Sequence, residues 1–235
     1  MQSTQPVSEG DDSSCRGIRA VVFDKDGTLI NFHRTWGPAA YEAIVATCGN
    51  DENTEQDLAS AIGFDLAAKR FADDSPYVME SAETLDLLVQ PWVDPRQFDG
   101  LMVDAGARGV EAEPGADDLL RRLFELGIPM AIATNDSQDS ARRQLETLDW
   151  ADLFEAIFGY DSGFGSKPEP GMVLAAGERL GAVGEAVMMV GDSATDLRSG
   201  RSAGAVTVLY GAAPELIELA DHAIDDLHQI LPLVS

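Results

Sequence analysis

Lysine is nearly absent from this chain. It occurs only as Lys25, Lys69 and Lys167, and the 16 lysines and arginines together face 41 aspartates and glutamates. The formal net charge is −25. A surface of that sign repels nucleic acid and anionic membranes. It also repels an anionic metabolite unless one place is made locally positive, so each lysine is a candidate for that place. Cysteine is equally scarce. Cys15 and Cys48 make no disulfide framework, which points to a reducing compartment. No apolar run approaches the roughly 20 residues of a membrane span. The first 17 residues, MQSTQPVSEGDDSSCRG, lack the apolar stretch of a secretion signal and read as a disordered tail. A soluble, cytoplasmic protein is expected, with no nucleic-acid or membrane partner.

The 235 residues, 45% of them hydrophobic, suffice for one large domain or for a core that carries a smaller insert. There is no internal repeat. An apolar strand, AVVFD, opens the ordered part, and a polar turn follows. Between about Asn31 and Ala112 nothing reads as a strand. GPAAYEAIVATCG is framed as a helix by Gly37–Pro38 and Gly49, and TEQDLASAIGFDL, SAETLDLLVQ and DPRQFDGLMVDAGARGV space their apolar residues by three and four. Pro114–Gly115 reads as a hinge. Beyond it strands (PMAIAT, AIFGYD, AVMMVGD, AVTVLY) alternate with helices (SQDSARRQLETL, PGMVLAAGERLG, TDLRSGRSAG, APELIELA). Short, wholly apolar strands alternating with helices signify an α/β, doubly wound parallel sheet. The expected organisation is therefore a tail at 1–17, a core at 18–30 and 113–235, and an all-helical cap at 31–112.

Ligands of such sheets bind at the carboxyl ends of the strands. After the first strand come Asp24 and Asp26, which period-two alternation puts on one side with Lys25 opposite. Gly27 and Thr28 suit a tight turn, so the pair is either an ordinary Asp-Gly turn or a cation site. After the second strand, TNDSQDS offers caps in Asn135, Asp136 or Ser137, or an anion site made by Thr134 and the free N–H groups of a helix start. After the third, Lys167 lies in a loop stiffened by prolines and glycines, either simply exposed or aimed at a phosphate. After the fourth, Asp192 and Asp196 suit a helix dipole but repel each other at i, i+4. A hard divalent cation, Mg²⁺ above others, would resolve that repulsion. Each feature alone is ambiguous. Their joint occurrence, in order and each at a strand end, has no structural explanation.

DKDGTL, ATN, SKPEP and GDSATD, in that order, resemble the four motifs of the haloacid dehalogenase (HAD) superfamily on its phosphatase side. The resemblance covers the chain from about Ile18 to its end. The insert after the first motif is similar to the helical cap of phosphoglycolate phosphatases and β-phosphoglucomutases. The C-terminal half looks most like the phosphoglycolate phosphatases. The resemblance implies Asp24 as nucleophile forming an aspartyl-phosphate, and Asp26 as general acid and then base. It implies Mg²⁺ held by Asp24, Asp192 and the Asp26 carbonyl, phosphate held by Thr134, the Asn135 amide and Lys167, and Asp196 orienting these groups from behind. The implied substrate is a small phosphorylated metabolite, the implied assembly a monomer or homodimer. A phosphotransferase of the sugar-phosphate mutase kind is the alternative. His33 and Arg34, at the start of the cap, are candidates for the substrate's other end or for packing at the hinge.

Two residues depart from the family pattern. Lys25 stands where an apolar residue is common, and is expected to be a partly exposed stem packed on the sheet. Asp136 adds a negative charge beside Thr134–Asn135, either as a helix cap or at the expense of anion binding.

Overall fold

In the computed structural model, which describes residues 17–79 and 82–234, strand β1 (Ala20–Phe23) lies mid-sheet. The expected 1–17 tail and Cys15 fall outside those residues, except for Gly17. The other strands are β4 (Met130–Ala133), β5 (Ala156–Phe158), β6 (Val187–Gly191), β7 (Val206–Tyr210) and β8 (His222–Ile224), after a small hairpin, β2 (Phe64–Asp65) and β3 (Arg70–Phe71). The six-stranded sheet has the order β5-β4-β1-β6-β7-β8, parallel throughout. β1 pairs with β4 on one side (Val22 opposite Ala131) and with β6 on the other (Val22 opposite Met189). The chain leaves β1 in both directions, so the crevice at its carboxyl end is where such a sheet binds ligands.

Side-chain alternation divides the core into two layers. Val21, Phe23, Met130, Ile132, Met188 and Val190 face the helices α6 (Ala116–Glu125) and α7 (Gln138–Thr147), whose Leu119, Leu120, Leu123 and Leu145 are fully buried. Ala20, Val22, Ala131, Ala133, Val187 and Met189 face α8 (Gly171–Arg179) through Met172, Val173 and Ala176. α9 (Ala194–Ser202) packs on β6 and β7.

The insert has its own core. It comprises α1 (Phe32–Cys48), α2 (Glu52–Ala61), the hairpin, α3 (Pro76–Met79), α4 (Ala82–Val89) and α5 (Pro95–Arg108). Trp36, Ala40, Ile44, Leu58, Phe71, Phe98 and Met102 are buried together within it. Its two linkers run side by side. Ile30 and Ala112 form an antiparallel bridge, Asn31 N–H donates to the Glu111 carbonyl (2.8 Å), and Glu113 N–H donates to that of Leu29 (2.9 Å). Among the described residues no helix is long and apolar enough to cross a membrane.

Four expectations need correction. The insert is not wholly helical: Phe64 pairs with Phe71, and two-residue strands are too short to show alternation. α1 begins at Phe32 rather than at Gly37, because Asn31 caps it by accepting from the Arg34 N–H, and Pro38 lies inside the helix. The APELIELA segment is a 3-10 helix, Pro214–Leu219. β8 went unread because His222 and Ala223 are exposed and only Ile224 is buried.

Candidate active site

Four of the expected residues meet at the carboxyl edge of β1 and β6. Asp24 follows β1, its N–H donating to the Val190 carbonyl (2.8 Å), and Asp192 follows β6. Asp196 stands in the first turn of α9. Each of these three carboxylates has an oxygen within 4.8 Å of the others. Lys167 reaches them from the β5–α8 loop, its Nζ 2.5 Å from Asp24 Oδ1 and 2.7 Å from Asp196 Oδ1. Asp24, Lys167 and Asp196 are all buried.

The carboxylates have different duties. Asp196 is engaged at both oxygens: Oδ1 by Lys167, and Oδ2 by the Ser193 N–H (3.0 Å) and hydroxyl (2.5 Å) in a capping box. Asp24 commits Oδ1 to Lys167, and Asp192 accepts the Thr28 hydroxyl at Oδ1 (3.0 Å). Among the described residues no side chain bonds to the other oxygen of Asp24 or of Asp192. Gly27 makes room for Asp192: it has φ +84°, and a Cβ there would lie 2.3 Å from Asp192 Oδ2.

Three carboxylates and one ammonium leave the site short of positive charge. Burial raises the Asp24 carboxyl well above the usual range, Asp196 and Asp192 add to that, and Lys167 opposes it. Burial, then the Asp196 charge, lifts Asp192 to about 7, against the Thr28 bond and Lys167. For Lys167 burial works against the charge, yet Asp196 and Asp24 outweigh it and raise the ammonium pKa. Buried oxygen ligands that resist ionisation fit a hard cation. The donor set accordingly forms a candidate metal site.

On the β4 side, Thr134 is buried and its hydroxyl accepts from the Asp136 N–H (3.1 Å). The Asn135 side chain grips the Lys167 backbone at both ends, accepting from its N–H (2.8 Å) and donating to its carbonyl (3.0 Å). Asn135 therefore positions the lysine, whatever its own N–H contacts. Ser137 is the cap of α7, accepting from the Ser140 N–H, which releases Asp136 for another partner.

That partner is Lys25, whose expected place was wrong. It is not a partly exposed stem turned away from the aspartates, but a fully buried side chain. Alternation ends at Phe23, and the Lys25 carbonyl accepts from the N–H groups of Leu29 and Ile30 (both 2.9 Å). The chain turns there, so the period-two argument no longer applies. Lys25 Nζ meets Asp26 Oδ2 at 2.5 Å, Gln144 Oε1 at 2.6 Å and Asp136 Oδ2 at 3.0 Å. The other Asp26 oxygen accepts from Trp36 Nε1 of the insert (2.6 Å). The sequence reading missed Thr28's bond, Trp36 and Gln144 as parts of the site. An indole two residues beyond the candidate pair His33–Arg34 was the one available hint.

Arg34 is exposed and pairs with Glu111 on the return linker (3.3 Å). His33 packs edge-on against Phe32, with a buried Nδ1 that has no hydrogen-bond partner among the described residues. Burial lowers its pKa, with Arg70 adding to the effect and Asp73 opposing it.

The model of the haloacid dehalogenase-like hydrolases matches residues 18–204. The chain belongs to that family. With its paired aspartates and carboxylate cluster it is a HAD-type phosphatase. It is 30% identical over 225 residues to a Caldanaerobacter subterraneus protein named "Putative pyrophosphatase PpaX", covering 93% of this chain and 95% of that one. It is also 30% identical over 212 residues to a phosphoglycolate phosphatase of Rhodospirillum rubrum, covering 84% and 82%. A HAD family hydrolase from Deinococcus radiodurans, solved with bound phosphate and sodium, shares its fold. Its TM-score is 0.64 at 23% identity, over 92% of this chain and 94% of that one.

Proposed function

We propose that this phosphatase hydrolyses a small phosphomonoester through an aspartyl-phosphate on Asp24. The observation that carries the reading is the meeting of buried Asp24, Lys167 and Asp196 with half-buried Asp192 at the sheet edge. The free oxygens of Asp24 and Asp192, with the Asp26 carbonyl, would hold Mg²⁺, which when bound neutralises charge on the phosphoryl oxygens and the nucleophile. Lys167 opposes the charge of Asp24 and of an entering phosphate. Thr134 and the Asn135 N–H hold the phosphoryl oxygens. Asp24 attacks phosphorus, the ester oxygen leaves with a proton from Asp26, and Asp26 then takes a proton from the water that cleaves the aspartyl-phosphate. Asp196 acts from behind, fixing Lys167.

2-Phosphoglycolate is the first substrate to try, since several relatives carry its name, and pyrophosphate is the comparison. His33, with its unsatisfied Nδ1, is the specificity candidate left free, whereas Arg34 is engaged across the linkers. A panel of phosphate esters assayed for phosphate release, with Mg²⁺ or with EDTA, tests the reading. Quantitative release distinguishes hydrolysis from transfer. Asp24→Asn is expected to be inert. Equal turnover by wild type and Asp24→Asn would remove Asp24 as nucleophile.

A further inference from the structure

The two departures from the family pattern, Lys25 and Asp136, are partners in one buried cluster. A lysine ammonium has three N–H donors and no acceptor. Here Asp26 and Gln144 accept from Nζ at 2.5 and 2.6 Å, and Asp136 Oδ2 completes the cluster as an ion pair at 3.0 Å. The Trp36 ring lies 5.3 Å from the ammonium. Burial opposes the charge of Lys25, but Asp26 and Asp136 more than offset it.

Stability alone does not account for such a group. Taking an ammonium and two carboxylates out of water costs about as much as their attraction returns, and apolar residues of like volume serve as well or better. What the cluster does provide is a fixed place for Asp26. Lys25 holds Oδ2 from below and is itself held by Gln144 of α7 and by Asp136 just before it. Trp36 of α1 holds Oδ1 from the insert. Trp36 in turn is braced by α5, where a Cβ on Gly106 would lie 2.7 Å from its ring. A carboxyl group that passes a proton to a leaving oxygen must be placed to within a fraction of an ångström.

We propose that Lys25 is a positioning residue for Asp26: anchored by Gln144 and Asp136, it fixes the proton-carrying carboxylate against the donor that Trp36 brings from the insert. This rests on the phosphatase reading above, in which Asp26 serves the leaving group.

The test uses Lys25→Met combined with Asp136→Asn, which removes both buried charges and keeps an amide oxygen for the Ser137 N–H that Asp136 Oδ1 now accepts. Single-turnover phosphorylation is followed with 2-phosphoglycolate, or the panel's fastest alkyl ester, and with p-nitrophenyl phosphate. An alkoxide needs its proton in the transition state and a nitrophenolate hardly does. Expected is a fall of about 10- to 100-fold with the alkyl ester, a KM within about threefold, and an aryl rate nearly unchanged. Gln144→Met, which loosens Lys25 without removing charge, should show the same selectivity at about 3- to 10-fold. It carries the test if the double variant does not fold. Equal losses on both substrates, or no loss on either, overturn the proposal while an inert Asp24→Asn leaves the phosphatase reading standing. Full activity in Asp24→Asn would sink both.

Discussion

Asp192→Asn should make the metal-free protein more stable, and by an amount that depends on pH. Asp192 titrates near pH 7 in the fold, against 3.8 as its ordinary value, because it is buried beside Asp196. A raised carboxyl pKa means that the folded chain binds more protons than the unfolded one between those two values. Stability therefore falls as pH rises through that window, and the loss is complete above about pH 7. A shift of roughly 3 units corresponds to about 4 kcal/mol at most, taking 1.36 kcal/mol per unit. For a chain of this size that is a difference of about 8–16 °C in Tm, at 2–4 °C per kcal/mol. The assay is thermal unfolding in EDTA from pH 5 to pH 8, for wild type and Asp192→Asn, repeated with Mg²⁺. The net charge of −25 destabilises both proteins as pH rises, so the difference between the two curves is the quantity to read. It should be less than half its full size at pH 5 and widen towards pH 8. Added Mg²⁺ should recover the loss in wild type and do little for the variant. Parallel curves, or equal stabilisation of both by Mg²⁺, would refute the account of Asp192 as a metal-seeking carboxylate.

Lys167→Met should destabilise the fold by about 3–5 kcal/mol, because it leaves Asp24 and Asp196 buried without their cation; urea unfolding measures this, and a change under about 1 kcal/mol would contradict the pairing. Gly27→Ala should weaken Mg²⁺ binding more than tenfold by calorimetry, since the added methyl displaces the Asp192 carboxylate at a position where φ is +84°. Gly106→Ala should cost about 1–3 kcal/mol of stability by crowding the Trp36 ring, and should lower kcat beyond that loss because Trp36 holds Asp26. A normal kcat in a stable Gly106→Ala protein would show that Trp36 tolerates displacement.

The sheet and the carboxylate cluster were legible because each depends on a local pattern. β1, β4, β6 and β7 are short apolar runs, and Asp24, Thr134 and Asp192 each follow one of them directly. Strand order, with the loop that Asn135 grips, then brings Lys167 to Asp24, 143 residues apart. What escaped depended on the turn and on the insert's packing. Lys25 was misplaced because alternation was carried past the end of the strand at Phe23 as far as Asp26. Trp36 and Gln144 bond to groups 10 and 119 residues away, and no spacing rule announces such contacts. The β2–β3 hairpin and β8 each bury a single residue per strand, too little for a pattern.

The scarcity of lysine acquires a meaning in the structure. Lys69 packs over the Tyr41 ring at 3.8 Å, in the insert. The other two stand at the sheet edge, Lys167 between Asp24 and Asp196, Lys25 between Asp26 and Asp136. Each ammonium is thus outnumbered by carboxylates. Neither carries a surplus of positive charge with which to draw a phosphate from solution into a protein of net charge −25. On the proposed reading both hold carboxylates in place, and Lys167 offsets the charge of a phosphate only once it has entered. On that reading the attraction for substrate comes from the cation that Asp24 and Asp192 are proposed to hold. On this argument the metal is required for substrate binding as well as for chemistry. Equilibrium binding of inorganic phosphate should therefore weaken by at least about tenfold in EDTA, a loss of about 1.4 kcal/mol. Phosphate that binds equally well with and without Mg²⁺ would show that the lysines retain a field of their own.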